Sequence, residues 1–262
     1  MKKLLCISLV WFIFIAYSSA EEMTNAEIEK YLARLDQVIV QNSKSAQNYI
    51  ERGDIYYLLN EHQKAVTDYT TALSLDKNLD TAYFGRGMAY GRVGLVEEGI
   101  ADLSVYIARH PDSSVAYTKR GVRNIWIGNM LAAEQDLTRA VELDPSNAEA
   151  HDDLGVVYAK KQQLNIAAKH FSTAIRLDPT YQKAYHNLAM CYFIAGHPAQ
   201  ALEEVNAGLK LNADNRNSLL LKSTILQSLG RNEEAKIIAD HAEFLPEANW
   251  SERSAVGGVL NK

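Results

Sequence analysis

Small residues recur in this chain at an interval of 34, and that period constrains the fold more than any other feature. Gly53, Gly87, Gly121 and Gly155 stand 34 apart, and the series continues through Ala189 and Ser223. Four places before each comes a larger residue: Tyr49, Tyr83, Tyr117, His151, Tyr185 and Leu219. Twelve places after each comes a second small one: Ala65, Gly99, Ala133, Ala167, Ala201 and Ala235. Pro111, Pro145 and Pro179 close successive units. A period of this length means one supersecondary unit copied along the chain, each copy burying its apolar face against its neighbours.

Inside a unit, apolar and small residues recur at three and four positions, the spacing of a helix with one buried stripe. Asn60, Gly94, Gly128, Gly196 and Gly230 separate two such stripes, and these residue types tolerate the left-handed conformation that ends a helix. Gln162 holds that place in the fourth unit and is less suited to it. The small residues let paired helices approach closely, and proline ends the second helix of a pair. The stretch YFGRGMAYG, Tyr83 to Gly91, looks like a phosphate loop, but Gly87 is one copy of a repeated helix-contact glycine. A phosphate loop occurs once, between a strand and a helix, so no nucleotide site is expected.

The order of aromatic, small, tyrosine, alanine and proline positions resembles the tetratricopeptide repeat over residues 46–249. The resemblance implies an all-α, right-handed α-solenoid with repeats near 46–79, 80–113, 114–147, 148–181, 182–215 and 216–249. The last is the most degenerate, with Leu219, Ser223 and an early Pro246. Residues 24–45, with Ile28, Leu32, Leu35, Val38 and Ile39 on one face, read as a capping helix, and 250–262 as a flexible tail.

Residues 1–20 read separately. Lys2 and Lys3, an apolar run from Leu4 to Tyr17 and then Ser18-Ser19-Ala20 have the order of a secretory signal peptide, with cleavage expected after Ala20. The protein is therefore expected to be exported, periplasmic or secreted, and to touch a membrane only if the leader stays uncleaved. Cys6 is misplaced for a lipoprotein, and the mature chain keeps only Cys191, so it holds together without an internal disulfide. Lys and Arg total 27 against 32 Asp and Glu, and the basic residues are scattered. No nucleic-acid partner is expected.

Two patterns concern the site. Arg52, Arg86 and Arg120 precede the repeat glycine in three units, and those units alone carry an Asp sixteen residues on: Asp68, Asp102 and Asp136. A partly buried guanidinium needs a carboxylate, so these are expected to be structural pairs. The resemblance further implies that the first helices line a concave groove for a peptide or protein. Its inward places carry Ile50, Tyr57, Leu58, Phe84, Met88, Val122, Trp126, Val156, Met190 and Phe193. Aromatic rings and thioethers suit peptide binding, and inter-repeat packing is the competing explanation. Arg123 and Asn124 put polar groups at buried-type places, so they either pair internally or mark a polar binding centre. A known carboxylate clamp of the family is absent, since Ile50 and Asp54 hold its places.

No catalytic or metal site is expected. The seven histidines sit at seven different places in the repeat and none forms a metalloprotease pair. Cys191 reads as a packing thiol, and Asp152-Asp153 and Glu203-Glu204 as solvated charge. Asn249-Trp250-Ser251 matches a glycosylation acceptor, relevant only in a eukaryote. The expected function is a non-catalytic scaffold or adaptor without cofactors. The alternatives are a self-assembling protein that forms homo-oligomers, and an accessory subunit of a cell-envelope enzyme or secretion complex.

Overall fold

A computed structural model describes residues 25–246. The expected leader at 1–20, the tail at 250–262 and the glycosylation sequence lie outside the described residues, as does the end of the sixth repeat. All regular structure among the described residues is helical, in thirteen helices. The first, α1, spans Asn25–Gln41. Six pairs follow: α2 (Ala46–Leu58) with α3 (His62–Leu75), α4 (Asp80–Arg92) with α5 (Val96–Arg109), α6 (Ser114–Trp126) with α7 (Met130–Leu143), α8 (Ala148–Lys160) with α9 (Leu164–Leu177), α10 (Gln182–Ile194) with α11 (Pro198–Leu211), and α12 (Arg216–Ser228) with α13 (Asn232–Glu243). This is an all-α solenoid of helix-turn-helix repeats. The helices fall into two compact units divided between Pro111 and Asp112, so α1 to α5 form one and α6 to α13 the other.

The turn inside each pair is tight because one residue takes a left-handed conformation. Asn60 and Gln162 do so with φ of 61° and 60°, and glycine fills the place in the other four repeats. Between pairs, an aspartate side chain bends the chain back. Asp144 Oδ1 accepts from the Ser146 amide at 2.9 Å, and Asp178 Oδ1 from the Thr180 amide at 3.0 Å. Asn147 and Asn215 then cap α8 and α12 by accepting from the amides of Ala150 and Ser218, both at 2.9 Å.

The repeat glycine meets one large side chain of its own pair. A Cβ on Gly155 would lie 2.6 Å from the Phe171 ring, and one on Gly121 would lie 2.7 Å from Leu137 Cγ. Tyr69, Leu103, Leu137, Phe171 and Val205 hold this same place and are all buried. Each contributes about 1.5–3 kcal/mol of burial. In both units, consecutive first helices touch one another: α2 with α4, then α6 with α8, α8 with α10 and α10 with α12. Consecutive second helices do not, among the described residues. Within each unit the first helices are therefore the inner layer.

Helix α1 packs on α2, and its Leu35 and Ile39 are both buried. It also supplies Asp36 to Arg52, with Nη1 donating to Oδ1 at 2.6 Å. The next repeat uses Thr70, 34 residues after Asp36, in the same way: Arg86 Nη1 donates to Thr70 Oγ1 at 3.2 Å. By this register α1 takes the place of a second helix.

Candidate functional site

The inner layer decides which side chains a partner can reach. In the unit from Asp112, Trp126 is 37% exposed at the end of α6 and Met190 is 38% exposed on α10, with Ile194 more open at 56%. Val156 and Phe193 are half-buried, each packed against a core cluster. In the unit ending at Pro111, Leu58 is exposed, while Tyr57 and Phe84 are partly buried. Both rings have packing partners, Tyr57 with His62 and Phe84 with Tyr106, each at 5.0 Å between centroids. Met88 is also partly buried.

Four of the candidates taken from the sequence are buried. Ile50 is 3% exposed and belongs to the core that includes Tyr69 and Ala72. Val122 is buried as well, because the fifth and ninth places of a first helix turn against its neighbours where the repeats pack tightly. Arg123 is fully buried and donates from Nη1 to the Lys119 carbonyl at 2.9 Å, with its guanidinium 5.6 Å from the centre of the Trp126 ring. Asn124 is buried too and donates from Nδ2 to Asp136 Oδ2 at 3.2 Å. These two polar residues are satisfied internally, and the Arg123 guanidinium lies against the Trp126 ring.

The three Arg–Asp pairs share one geometry. Arg52 donates from Nε and Nη2 to the two oxygens of Asp68, both at 2.7 Å. Arg86 does the same to Asp102 at 2.7 and 2.9 Å, and Arg120 to Asp136 at 2.9 and 2.6 Å. The hydrogen bond to Asp68 raises Arg52 above the ordinary arginine range, and that to Asp102 does the same for Arg86. Each guanidinium also lies 5.7–5.9 Å from the ring of Tyr49, Tyr83 or Tyr117 in its own repeat. With its carboxylate claimed in this way, the ladder offers little free positive charge to a ligand.

A larger polar assembly runs between the first helices of the second unit. Asp152 and Asp153 are buried, contrary to their reading as solvated charge. Lys183 of α10 bridges them, with Nζ 3.0 Å from Asp152 Oδ2 and 2.9 Å from Asp153 Oδ1. Asn187 donates to Asp152 Oδ1 at 2.8 Å. Lys119 of α6 meets both oxygens of Glu149 at 2.7 and 2.9 Å. His186 Nδ1 lies 3.2 Å from Ser218 Oγ on α12. Burial pushes the Asp153 carboxyl up to about 6 against the pull of Lys183. Burial likewise holds His186 below the usual histidine range. The sequence signal that was available is the spacing of 34 or 30 that separates Asp153 from Asn187 and from Lys183, which puts these groups on facing turns.

Cys191 is buried, donates to the Leu164 carbonyl at 3.2 Å and has its thiol pushed up by burial. That is the environment of an unreactive packing thiol.

A family model described as TPR repeat matches residues 53–94, and models described as tetratricopeptide repeat match 148–181 and 170–203. These matches place tetratricopeptide repeats in residues 53–94 and 148–203. No curated protein matches it in sequence. Among solved structures, a tetratricopeptide repeat protein from Parabacteroides merdae superposes with a TM-score of 0.70 at 20% identity, over 90% of this chain and 91% of that one. The APC/C hetero-tetramer Cut9-Hcn1 gives 0.72 at 19% identity over 82% of this chain. This chain spans only 43% of that relative's length. YrrB, described as a TPR protein with an unusual peptide-binding site, gives 0.55 at 24% identity over 71% of this chain and 95% of its own. At these identities the likeness is one of fold. Tetratricopeptide repeats form scaffolds for protein–protein interaction, and the candidate surface here is the inner layer around Trp126 and Met190.

Proposed function

We propose that this chain is a non-catalytic scaffold of the cell envelope that holds a peptide or protein segment on its inner layer, centred in the second unit on Trp126, Met190 and Ile194. The observation that carries this reading is the exposure of Trp126, Met190 and Ile194 on first helices, where Val115 and Leu220 are exposed as well. Rigid rings and flexible thioethers at a partly open site supply contact area at low entropic cost. The order of charge, apolar run and small residues in 1–20 supports export.

The test is a photo-crosslinking amino acid placed at 126 and at 190, with a control at Ile166, which is exposed on the second helix α9. Capture of one partner from 126 and 190 but not from 166, in the native envelope, is the expected result. Equal capture from 166, or none from a folded protein, removes the inner layer from consideration. Capture of a second copy of this chain would place self-assembly first.

A further inference from the structure

The fourth repeat rewrites a cluster that the first three share. Where those repeats carry a Tyr–Arg–Asp cluster (Tyr49, Arg52 and Asp68 in the first), the fourth carries His151, Leu154 and His170. All three residues differ together, and the two histidines meet: His151 Nδ1 on α8 lies 3.1 Å from His170 Nδ1 on α9. The rings are tilted by 31° with centroids 5.4 Å apart. From this geometry we propose that the fourth repeat is a two-histidine site for a divalent transition-metal ion of the zinc class, ligated through the two Nδ1 atoms.

Two imidazole nitrogens on a tetrahedral zinc ion, each at about 2.0–2.1 Å, lie roughly 3.3 Å apart, so the present spacing suits the ion once each ring turns by roughly 35° to aim its Nδ1 at a common point. The tautomers are prepared for this. His151 Nε2 lies 3.3 Å from the Pro145 carbonyl, which can only accept, so the His151 proton sits on Nε2 and its Nδ1 lone pair faces His170. In the metal-free pair His170 Nδ1 donates to that lone pair. On binding, the His170 proton moves to Nε2, and both Nδ1 lone pairs turn to the metal. Tyr158 stacks on His170 at 5.4 Å and 12° and fixes its plane. Of the charges facing His151, Asp144 favours a cation and Arg176 opposes it. Among the described residues no three His, Cys, Asp or Glu side chains gather as a metal cluster, so water or a partner's side chain completes the shell. Imidazole selects Zn²⁺, Cu²⁺ or Ni²⁺ over Mg²⁺ and Ca²⁺.

The test is calorimetric titration of the full chain, without a histidine tag, with ZnCl2 in a non-coordinating buffer. One saturable site is expected, weakened at least about tenfold in both His151→Tyr, which restores the residue of the first three repeats, and His170→Asn. The control His241→Gln should bind as the parent does. Imidazole ¹⁵N resonances of the parent should report ligation at Nδ1 with protons on Nε2, a readout that stands even if a variant fails to fold. No saturable site, or unchanged affinity in folded His151→Tyr and His170→Asn, would leave the pair as a structural hydrogen bond and overturn the proposal.

Discussion

Arg86 grips Asp102 with two parallel hydrogen bonds, Nε to Oδ2 at 2.7 Å and Nη2 to Oδ1 at 2.9 Å, across the two helices of one repeat. Both side chains are mostly buried, at 17% and 9% exposure. Removing the carboxylate leaves a guanidinium in a place it was desolvated to reach. Asp102→Ala is therefore expected to cost about 2–4 kcal/mol in urea unfolding, with ligand binding on the second unit unchanged. By contrast Asp36, whose side chain is half exposed, also meets Arg52, and its loss should cost under about 1 kcal/mol. Equal costs for the two variants would refute the argument from burial.

Gln162 and Gly155 make opposite backbone predictions within one repeat. Gln162 sits at φ 60°, in the left-handed region where side chains cost of order 1 kcal/mol and glycine costs little. Gln162→Gly is expected to raise stability by about 0.5–1 kcal/mol, the usual penalty on glycine being offset by the relieved strain. Gly155→Ala should lower it by about 1–3 kcal/mol, since its Cβ would arrive 2.6 Å from the Phe171 ring. Thermal melts of the two variants on either side of the parent would check both; a Gln162→Gly protein that melts lower contradicts the first.

The repeat was legible because its period is carried by residues with one physical job each. Gly155 must be small against Phe171, and that need returns every 34 residues. The Arg–Asp pairs were legible for a related reason: three copies vary together inside one sequence, so Arg86 and Asp102 act as each other's witness. Burial of Ile50 and Val122 was not legible, because a first helix buries its fifth and ninth places only where neighbouring first helices press close. That closeness is a property of packing between repeats, and the pattern within a repeat does not contain it. Asp152 and Asp153 escaped for the same reason. Adjacent carboxylates point apart on one helix, and it takes Lys183 on the next first helix to gather them.

Asp54 is expected to make the first unit sensitive to pH. Burial raises its carboxyl to about 6 from an ordinary value near 3.8, while the hydrogen bond from Tyr69 at 2.6 Å pulls the other way. A carboxyl raised in the folded state binds its proton more tightly there than in the unfolded chain. Its contribution to stability is then full below about pH 4 and is lost as pH rises through 6. Asp54→Asn keeps an acceptor for Tyr69 and removes the titration. It should gain about 1–3 kcal/mol over the parent at pH 7.5 and nothing at pH 4. Unfolding measured at both pH values decides the point, and a gain of equal size at each would assign the effect to something other than ionisation.

Lys183 holds two buried carboxylates with a single charge, and the consequence of removing it depends on pH. Lys183→Met keeps the apolar stem and takes away the ammonium that lies 3.0 Å from Asp152 and 2.9 Å from Asp153. At pH 7.5 the variant must either bury two unpaired carboxylates or take up a proton, and a loss of about 3–5 kcal/mol is expected. Asp153 titrates near 6 even with the lysine present, so without it the carboxyl rises further and is protonated at pH 5. The loss at pH 5 should then be smaller by about 1 kcal/mol or more, because a neutral carboxyl costs less to bury than a charged one. Adding Asp153→Asn to the variant should recover part of the loss at pH 7.5 and little at pH 5. If the double variant recovers nothing at either pH, the carboxylates are not what Lys183 stabilises.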